Sequence, residues 1–346
     1  MGASQVAVVG ATGAVGSEMT RILDERGFPP DRVTLFATAR SAGTRIPFGG
    51  TEIEVRETTE RWFDGIDVAL VSCGSKPSRE LLPPAAAAGT VCIDNSSAFR
   101  MEPDVPLVIP EINPDAARGH HGIIANPNCT AITALVPLAP LHRAFGLRFL
   151  LTSSYQSVSG TGMRAIRELA EQVGKLHGQE EDLRRPDPSA LPEPEVYARP
   201  IAFNVIPLCE TPDPKGSGFT TEETKMRDEA RKILGLPDLQ GAATAVRVPV
   251  VTGHGVSVYA EFDREPVVEE AREVLASAPG VRLVDDLENG IFPTPLEAAG
   301  VDDVLVGRIR RPETDRTALL YFAAGDNLRK GAALNAVQIA ELLADG

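Results

Sequence analysis

A valine-rich run close to the start of the chain, Gln5–Gly10 (QVAVVG), ends in the glycine loop Gly10-Ala11-Thr12-Gly13-Ala14-Val15-Gly16. Short, apolar and β-branched, the run reads as a buried strand. Residues 15–24 then place Val15, Met19, Ile22 and Leu23 on one helical face. A GxxGxxG turn between strand and helix is a variant of the dinucleotide fingerprint. Its glycines let backbone approach a pyrophosphate, which rests on the helix N-terminus. The alternative is a tight turn that binds nothing. Further strand candidates are 33–37, 68–72, 91–94, 107–109 and 123–125, with helix-like material between several of them, such as 78–88. Short apolar strands alternating with helices predict a parallel, doubly wound α/β sheet.

Past Cys129 the pattern changes. Residues 130–145 read as a helix, and 152–158, 201–208, 244–251 and 256–262 as longer strands. Fewer helices separate these strands, which predicts an α+β region with a mixed or largely antiparallel sheet. Residues 174–200 are rich in proline and charge and read as an irregular surface excursion. The tail, 331–343, aligns Leu334, Val337, Ala340 and Leu343 as a last helix.

Composition narrows the class of function. Against 34 basic residues stand 48 acidic ones, a net charge of −14, which argues against nucleic acid or anionic membranes as partners. The four cysteines (Cys73, Cys92, Cys129, Cys209) are dispersed, so neither a disulfide framework nor a metal site is expected, and a reducing cytoplasm fits better. The chain enters its first strand without a charged leader, and no apolar stretch is long enough to span a bilayer.

The second strand bears on the choice of dinucleotide. NAD sites usually place a carboxylate near its end. Here the stretch is Ala37-Thr38-Ala39-Arg40-Ser41-Ala42-Gly43, with an arginine among hydroxyls and no acid. Arg40 suits a 2′-phosphate, which favours NADP; otherwise it is a solvated loop arginine.

Candidate chemistry centres on Asn126-Pro127-Asn128-Cys129-Thr130. A thiol at a helix start faces unpaired N–H groups and the positive end of the dipole, and both favour thiolate. A lone cysteine is nevertheless more often a small buried hydrophobe. Several segments offer partners. Gln156, in Tyr155–Gly162, can hydrogen-bond a substrate carbonyl or carboxylate, while Ser159 and Gly160 allow close approach of a nicotinamide. Thr220 and Glu223 are spaced as a capping box. Glu222 and Lys225 share a helix face, where they suit a substrate with an amine and an anion, or form an exposed ion pair. Arg247 can grip a carboxylate, and His254, between two glycines, can act as acid or base. Arg100 is a candidate phosphate contact. Asp326-Asn327 either touches the cofactor amide or caps the last helix.

Together these segments resemble the aspartate-β-semialdehyde dehydrogenase family over nearly the whole chain: VAVVGATGAVG, FATARSAG, DNSSAFR, PNCTA, SYQSVSGTG, IAFNVIP, TEETKM, RVPVVTGHG and GDNLRKGAALNAVQIAE. The resemblance implies a dinucleotide-binding domain over 1–129, completed by a C-terminal helix over 328–346, and a catalytic and dimerisation domain over 130–327. It implies reversible NADP-dependent reductive dephosphorylation of 4-aspartyl phosphate to L-aspartate 4-semialdehyde, in biosynthesis of lysine and diaminopimelate, methionine and threonine. Cys129 would be the nucleophile that carries a thioester, and His254 the acid/base. Gln156, Arg247, Glu222 and Asn128 would hold the substrate, and Arg100 and Lys225 the phosphate. Gly10, Thr12, Gly13, Ala14, Val15, Gly16, Arg40, Ser41, Ser159, Gly160 and Asn327 would contact NADP, in a homodimer or homotetramer. Ala131 and Cys209-Glu210-Thr211 depart from the family's usual wording. Two rivals stay open: an N-acetylglutamyl-phosphate reductase-like enzyme, with less use for Glu222, and a non-catalytic NADP-binding redox sensor, with no need of Cys129, Gln156, Arg247 and His254 together.

Overall fold

The computed structural model describes residues 4–344. Among the described residues, fourteen strands and eight α-helices form two six-stranded sheets and a small hairpin. The first sheet holds β1 (Val6–Val9), β2 (Val33–Ala37), β5 (Arg56–Glu57), β6 (Val68–Val71), β7 (Val91–Asp94) and β8 (Ile123–Ala125). Its order is β5-β2-β1-β6-β7-β8 with every pairing parallel. All four residues of β1 are buried, as expected of a central strand covered on both faces. Strand order reverses at β1, so the crevice between the carboxyl ends of β1 and β6 is the topological switch point. Helices α1 (Ala14–Glu25) and α2 (Ser75–Ala87) start there, and the hairpin β3 (Arg45–Phe48) and β4 (Thr51–Glu54) flanks β2.

The second sheet runs β10 (Gln240–Arg247), β9 (Leu147–Gln156), β11 (His254–Phe262), β14 (Ala318–Gly325), β13 (Val304–Arg310), β12 (Val281–Leu283). It is mixed: β9–β10 and β12–β13 are parallel and the rest antiparallel. One face packs on α3 (Cys129–Phe145), α5 (Thr221–Leu234) and α6 (Val268–Ala276) through Leu135, Leu138, Met226, Val256, Val258 and Leu319. Helix α4 (Met163–Leu176) leads into the irregular excursion, α7 (Pro295–Ala298) is a single turn, and α8 (Leu334–Ala344) closes the chain. Ala333, Val337 and Ala340 join Val6, Met19 and Leu35 in the first core, which ties the tail to the N-terminal sheet. None of the helices among the described residues is long and apolar enough to cross a membrane.

Four expected strands are different. The one expected over 152–158 runs instead from Leu147 to Gln156. Residues 107–109 form only one bridge, Leu107 to Ala125. Pro106 and Pro110 flank them, and proline cannot donate to a ladder. Residues 201–208 turn between Pro200 and Pro207, pair only at Ile206 with Arg247, and include Phe203 at φ 56°. The strand expected over 244–251 begins earlier, at Gln240, and ends at Arg247, because Pro249 follows. The sequence patterns also missed α4, α6, β12, β13 and β14.

Candidate active site

The glycine loop joins the two halves of the switch point. Gly10 has φ 88°, and a Cβ there would stand 2.2 Å from the Ser72 carbonyl oxygen at the end of β6. A Cβ on Gly16 would meet the Gly10 oxygen at 2.1 Å. Both positions therefore demand glycine so that helix, turn and sheet can approach. Thr12 and Gly13 are exposed at the start of α1, with Ala14 and Val15 half-buried behind them. Gly13 is the N-cap, and no side chain caps the helix. Its first N–H groups are thus open to an anion, which is what a pyrophosphate needs. Gly10 and Ala11 N–H donate to Phe36 O, 2.8 and 3.0 Å away. This holds the loop against the end of β2, where Arg40 and Ser41 follow in an exposed turn. A cavity of about 370 Å3 runs from Val15 past Ser72 and Ser97 to Cys129, Ser159 and Asn327. Ser159 and Asn327 are buried and bonded to each other, Asn327 Nδ2 to Ser159 Oγ at 3.0 Å. The residues present fit a nicotinamide dinucleotide.

A second cavity of about 410 Å3 meets the first at Asn128, Cys129, Gly160 and Glu210. Three strand ends form its floor. Gln156 ends β9 and pairs in register with Arg247 at the end of β10, and His254 opens β11 on the other side of β9. The chain reverses between Val248 and Gly253, so the odd spacing of Arg247 and His254 does not keep them apart. Each points from its own strand to the helix side of the sheet.

Cys129 is the first residue of α3. Asn128 caps that helix, its Oδ1 accepting from Thr130 N (2.8 Å) and Ala131 N (3.2 Å). The Cys129 N–H is left as the donor nearest the sulfur. Cys129 Sγ lies 3.3 Å from His254 Nε2. On the far side of the ring, Ser157 N–H donates to Nδ1 at 3.1 Å. Nδ1 is therefore the acceptor, and Nε2 carries the proton that faces the sulfur.

The surroundings of Cys129 act against the thiolate expected at a helix start. Desolvation, reinforced by the Glu222 carboxylate and opposed by Arg100 and Arg247, pushes the Cys129 thiol up to about 12. Burial, and then Arg247, pulls His254 down to about 3. Both shifts favour a neutral thiol beside a neutral imidazole. Alkylation of Cys129 by iodoacetamide, followed on its own peptide by mass spectrometry, is expected to stay slow near pH 7 and rise only above about pH 9. A plateau with a midpoint below about pH 7 would mean a thiolate–imidazolium pair instead.

Around this pair stand the remaining candidates. Glu222 is buried rather than exposed. It accepts from Asn128 Nδ2 (3.0 and 3.1 Å) and Gln156 Nε2 (3.0 Å). Gln156 also donates to Ser154 Oγ at 3.2 Å, so its amide nitrogen is engaged within the protein. Arg247 donates through Nη1 to Ser157 O at 2.6 Å, while its buried Nε has no partner. An unpaired buried donor costs about 1–3 kcal/mol, which an anion in the cavity would recover. Arg100 spends three of its donors on Asn126 O, Asn95 O and Glu229 Oε1, yet lines the first cavity. Lys225 also lines it, but its ammonium is held by Glu210, at 2.5 Å, with Glu222 only at 3.9 Å. The capping box is formed: Glu223 N donates to Thr220 Oγ1 and Thr220 N to Glu223 Oε2. Asp326 caps the turn before α8, accepting from Leu328 and Arg329 N. Asn327 Oδ1 instead accepts from Ser157 Oγ, Ser159 Oγ and Gly253 N.

Two neighbours escaped the sequence patterns. Glu229, buried, accepts from Asn128 N at 2.6 Å and pairs with Arg100 at 3.1 Å. It lies seven residues after Glu222, on the same face of α5, and that spacing was the available signal. Tyr197 comes from the irregular excursion and covers the second cavity, its ring 5.8 Å from the Arg247 guanidinium. Glu168 and Gln172 on α4 fasten it there, accepting from Val196 N and from Ile201 and Ala202 N. Nothing periodic in the sequence announces it.

Comparison with known proteins agrees with this geometry. Residues 5–120 match the family "Semialdehyde dehydrogenase, NAD binding domain", and residues 138–330 match "Semialdehyde dehydrogenase, dimerisation domain". Aspartate-semialdehyde dehydrogenase of Corynebacterium glutamicum is 50% identical, with 98% of each chain covered. The Bacillus subtilis enzyme of that name is 45% identical over 98% of this chain and 96% of its own. Aspartate semialdehyde dehydrogenase II from Vibrio cholerae, solved in complex with ASA, superposes with a TM-score of 0.91 at 40% identity, covering 99% of this chain and 98% of that one. A doubly wound nucleotide fold joined to a mixed-sheet domain, matched end to end by these relatives, makes this chain a member of the aspartate-semialdehyde dehydrogenase family.

Proposed function

We propose that this chain converts 4-aspartyl phosphate reversibly to L-aspartate 4-semialdehyde and phosphate with NADPH, through a thioester on Cys129. The pathway would be the one that leads to lysine and diaminopimelate, methionine and threonine. The observation that carries the reading is the 3.3 Å approach of Cys129 Sγ to His254 Nε2 where the two cavities meet. In the reductive direction the sulfur attacks the acyl phosphate. A C–S bond forms, the S–H proton passes to the departing phosphate oxygen, and the C–O bond to phosphate breaks with its electron pair leaving on phosphate. Arg100 and Lys225 receive that leaving group. The Cys129 N–H faces the developing oxyanion, an interaction worth about 3 kcal/mol. Bound NADPH would supply the hydride that reduces the thioester carbonyl. When the C–S bond then breaks, sulfur departs as thiolate against the Nε2–H of His254.

Substrate recognition follows from charge. Arg247, with its unpaired Nε, takes the α-carboxylate. Glu222 takes the α-ammonium, with Asn128 and Gln156 keeping its carboxylate aimed. That ammonium would also offset the carboxylate that raises the thiol, so substrate favours thiolate formation. A blocked amine would leave buried Glu222 without its partner, which disfavours the N-acetylglutamyl substrate. The preference for NADP over NAD rests on Arg40 and the acid-free end of β2.

The proposed division of labour gives 1–129 and 328–346 to the cofactor and 130–327 to catalysis and dimerisation. Leu151, Tyr155, Leu208 and Val251 are exposed on or beside the second sheet. Their burial in a homodimer would remove exposed apolar area from that region. Four free thiols suit a reducing cytoplasm. The deciding assay gives the protein NADP, phosphate and L-aspartate 4-semialdehyde and follows NADPH absorbance. Phosphate-dependent NADPH formation is expected. Its absence, or preferential turnover of the N-acetylglutamate analogue, overturns the reading.

A further inference from the structure

Lys225 is already occupied. Its Nζ stands 2.6 and 2.5 Å from the two carboxylate oxygens of Glu210. Glu210 borders both cavities, and Lys225 borders the one that contains Arg100 and Cys129. The backbone of Glu210 is left-handed, with φ 61°. A non-glycine residue adopts that region at an energetic cost and holds it only where the surroundings enforce it. Here Thr221, at the start of α5, anchors the backbone next to Glu210 and, separately, its carboxylate. Its N–H donates to Thr211 O at 2.8 Å, and its hydroxyl donates to Glu210 Oε2 at 2.8 Å. Desolvation raises the Glu210 carboxyl, yet the Lys225 ammonium outweighs this and keeps it below its ordinary range. No apolar packing explains the residue, because its side chain is substantially solvent-exposed.

We propose that Glu210 is a resident stand-in for phosphate: its carboxylate occupies the Lys225 ammonium until a phosphate group displaces it. The inference rests on the assignment of Arg100 and Lys225 to phosphate. A dianionic phosphate offers more charge and more acceptor oxygens than one carboxylate, and it engages Arg100 as well. It can therefore win the exchange where a monoanion cannot. Glu210 swings aside by rotation of an exposed side chain, with its backbone held in place. The device has two effects. It keeps a flexible lysine aimed at the cavity and away from Glu222. It also makes the site selective for phosphate over acetate or chloride, since an entering anion must beat a tethered competitor. Glu210 is a positioning and specificity residue, acting through Lys225.

The test is Glu210→Gln compared with Lys225→Ala in the aldehyde-oxidising direction. Glu210→Gln is expected to lower KM for phosphate about fivefold, with KM for the aldehyde unchanged. Acetate should then inhibit the variant competitively against phosphate, and leave the wild type unaffected. Lys225→Ala should raise KM for phosphate. A purely structural role for Glu210 predicts a lower kcat with no gain in phosphate affinity. If Lys225→Ala weakens phosphate while Glu210→Gln leaves it unchanged or weakens it, the stand-in is refuted and the phosphate assignment survives. If Lys225→Ala has no effect on phosphate, that assignment falls, and the proposal with it. Glu210→Asp, which keeps the charge but shortens its reach, should lie between wild type and Glu210→Gln. It provides the same comparison should the glutamine variant fold poorly.

Discussion

Replacing Cys129 by alanine is expected to reduce turnover by roughly 10,000-fold or more, because no other group offers a nucleophile at that point. The loss should be confined to chemistry. Asn128 still caps α3 through Thr130 and Ala131 N, so the helix start survives. The glycine loop and the Ser159–Asn327 contact lie outside the change, so NADP titration should give a dissociation constant close to wild type. Alanine keeps the Cβ that packs against Gly331, where an added Cβ would stand 2.9 Å away, so this contact is unchanged. Serine is a sharper probe. It keeps an atom near the sulfur position, but a hydroxyl is far less acidic and less nucleophilic than a thiol, so it should not replace the sulfur in the attack. Both variants should fail to form a covalent acyl-enzyme, detectable by mass spectrometry after acid quench of the wild type with aldehyde and NADP. Substantial turnover by Cys129→Ala would remove the thioester from the mechanism.

The contrast between Cys129 and its surroundings shows what a sequence of this kind discloses. The glycine loop, the parallel sheet and the thiol at a helix start are local patterns, and each is found where its residues predict. Prolines misled where apolar composition alone was counted, as at 107–109 and 201–208. The state of the thiol was not legible either. The helix start is local, but the desolvation and the Glu222 charge that oppose it come from a sheet and a helix about 100 residues away. Glu229 and Tyr197 were hidden for the same reason: their partners, Asn128 and Arg247, are remote in sequence. His254 is intermediate. Two flanking glycines marked it, yet only strand order puts it beside Gln156 and opposite the sulfur.

His254→Asn is expected to lower kcat by about 100- to 10,000-fold, the range for loss of a positioned acid or base. Asparagine reaches the Nδ1 position and can keep an acceptor for Ser157 N–H, so the loop stays satisfied while the group facing the sulfur disappears. His254→Gln places an amide near Nε2, where it can donate to sulfur but cannot transfer a proton. It should therefore retain substrate KM and still lose kcat. Stability supplies an independent readout. His254 is held neutral, with burial lowering it from 6.5 to about 3. A depressed histidine contributes stability that is complete above the unfolded value, near pH 6.5, and is lost as pH falls toward about 3. Over that window the unfolded chain binds a proton that the folded chain refuses. Chemical denaturation of the wild type should accordingly show midpoints that decline as pH drops from about 7 to about 4, and His254→Asn should flatten that decline. An equal acid-side slope in the two proteins would mean that His254 is not held as a buried neutral imidazole beside Cys129.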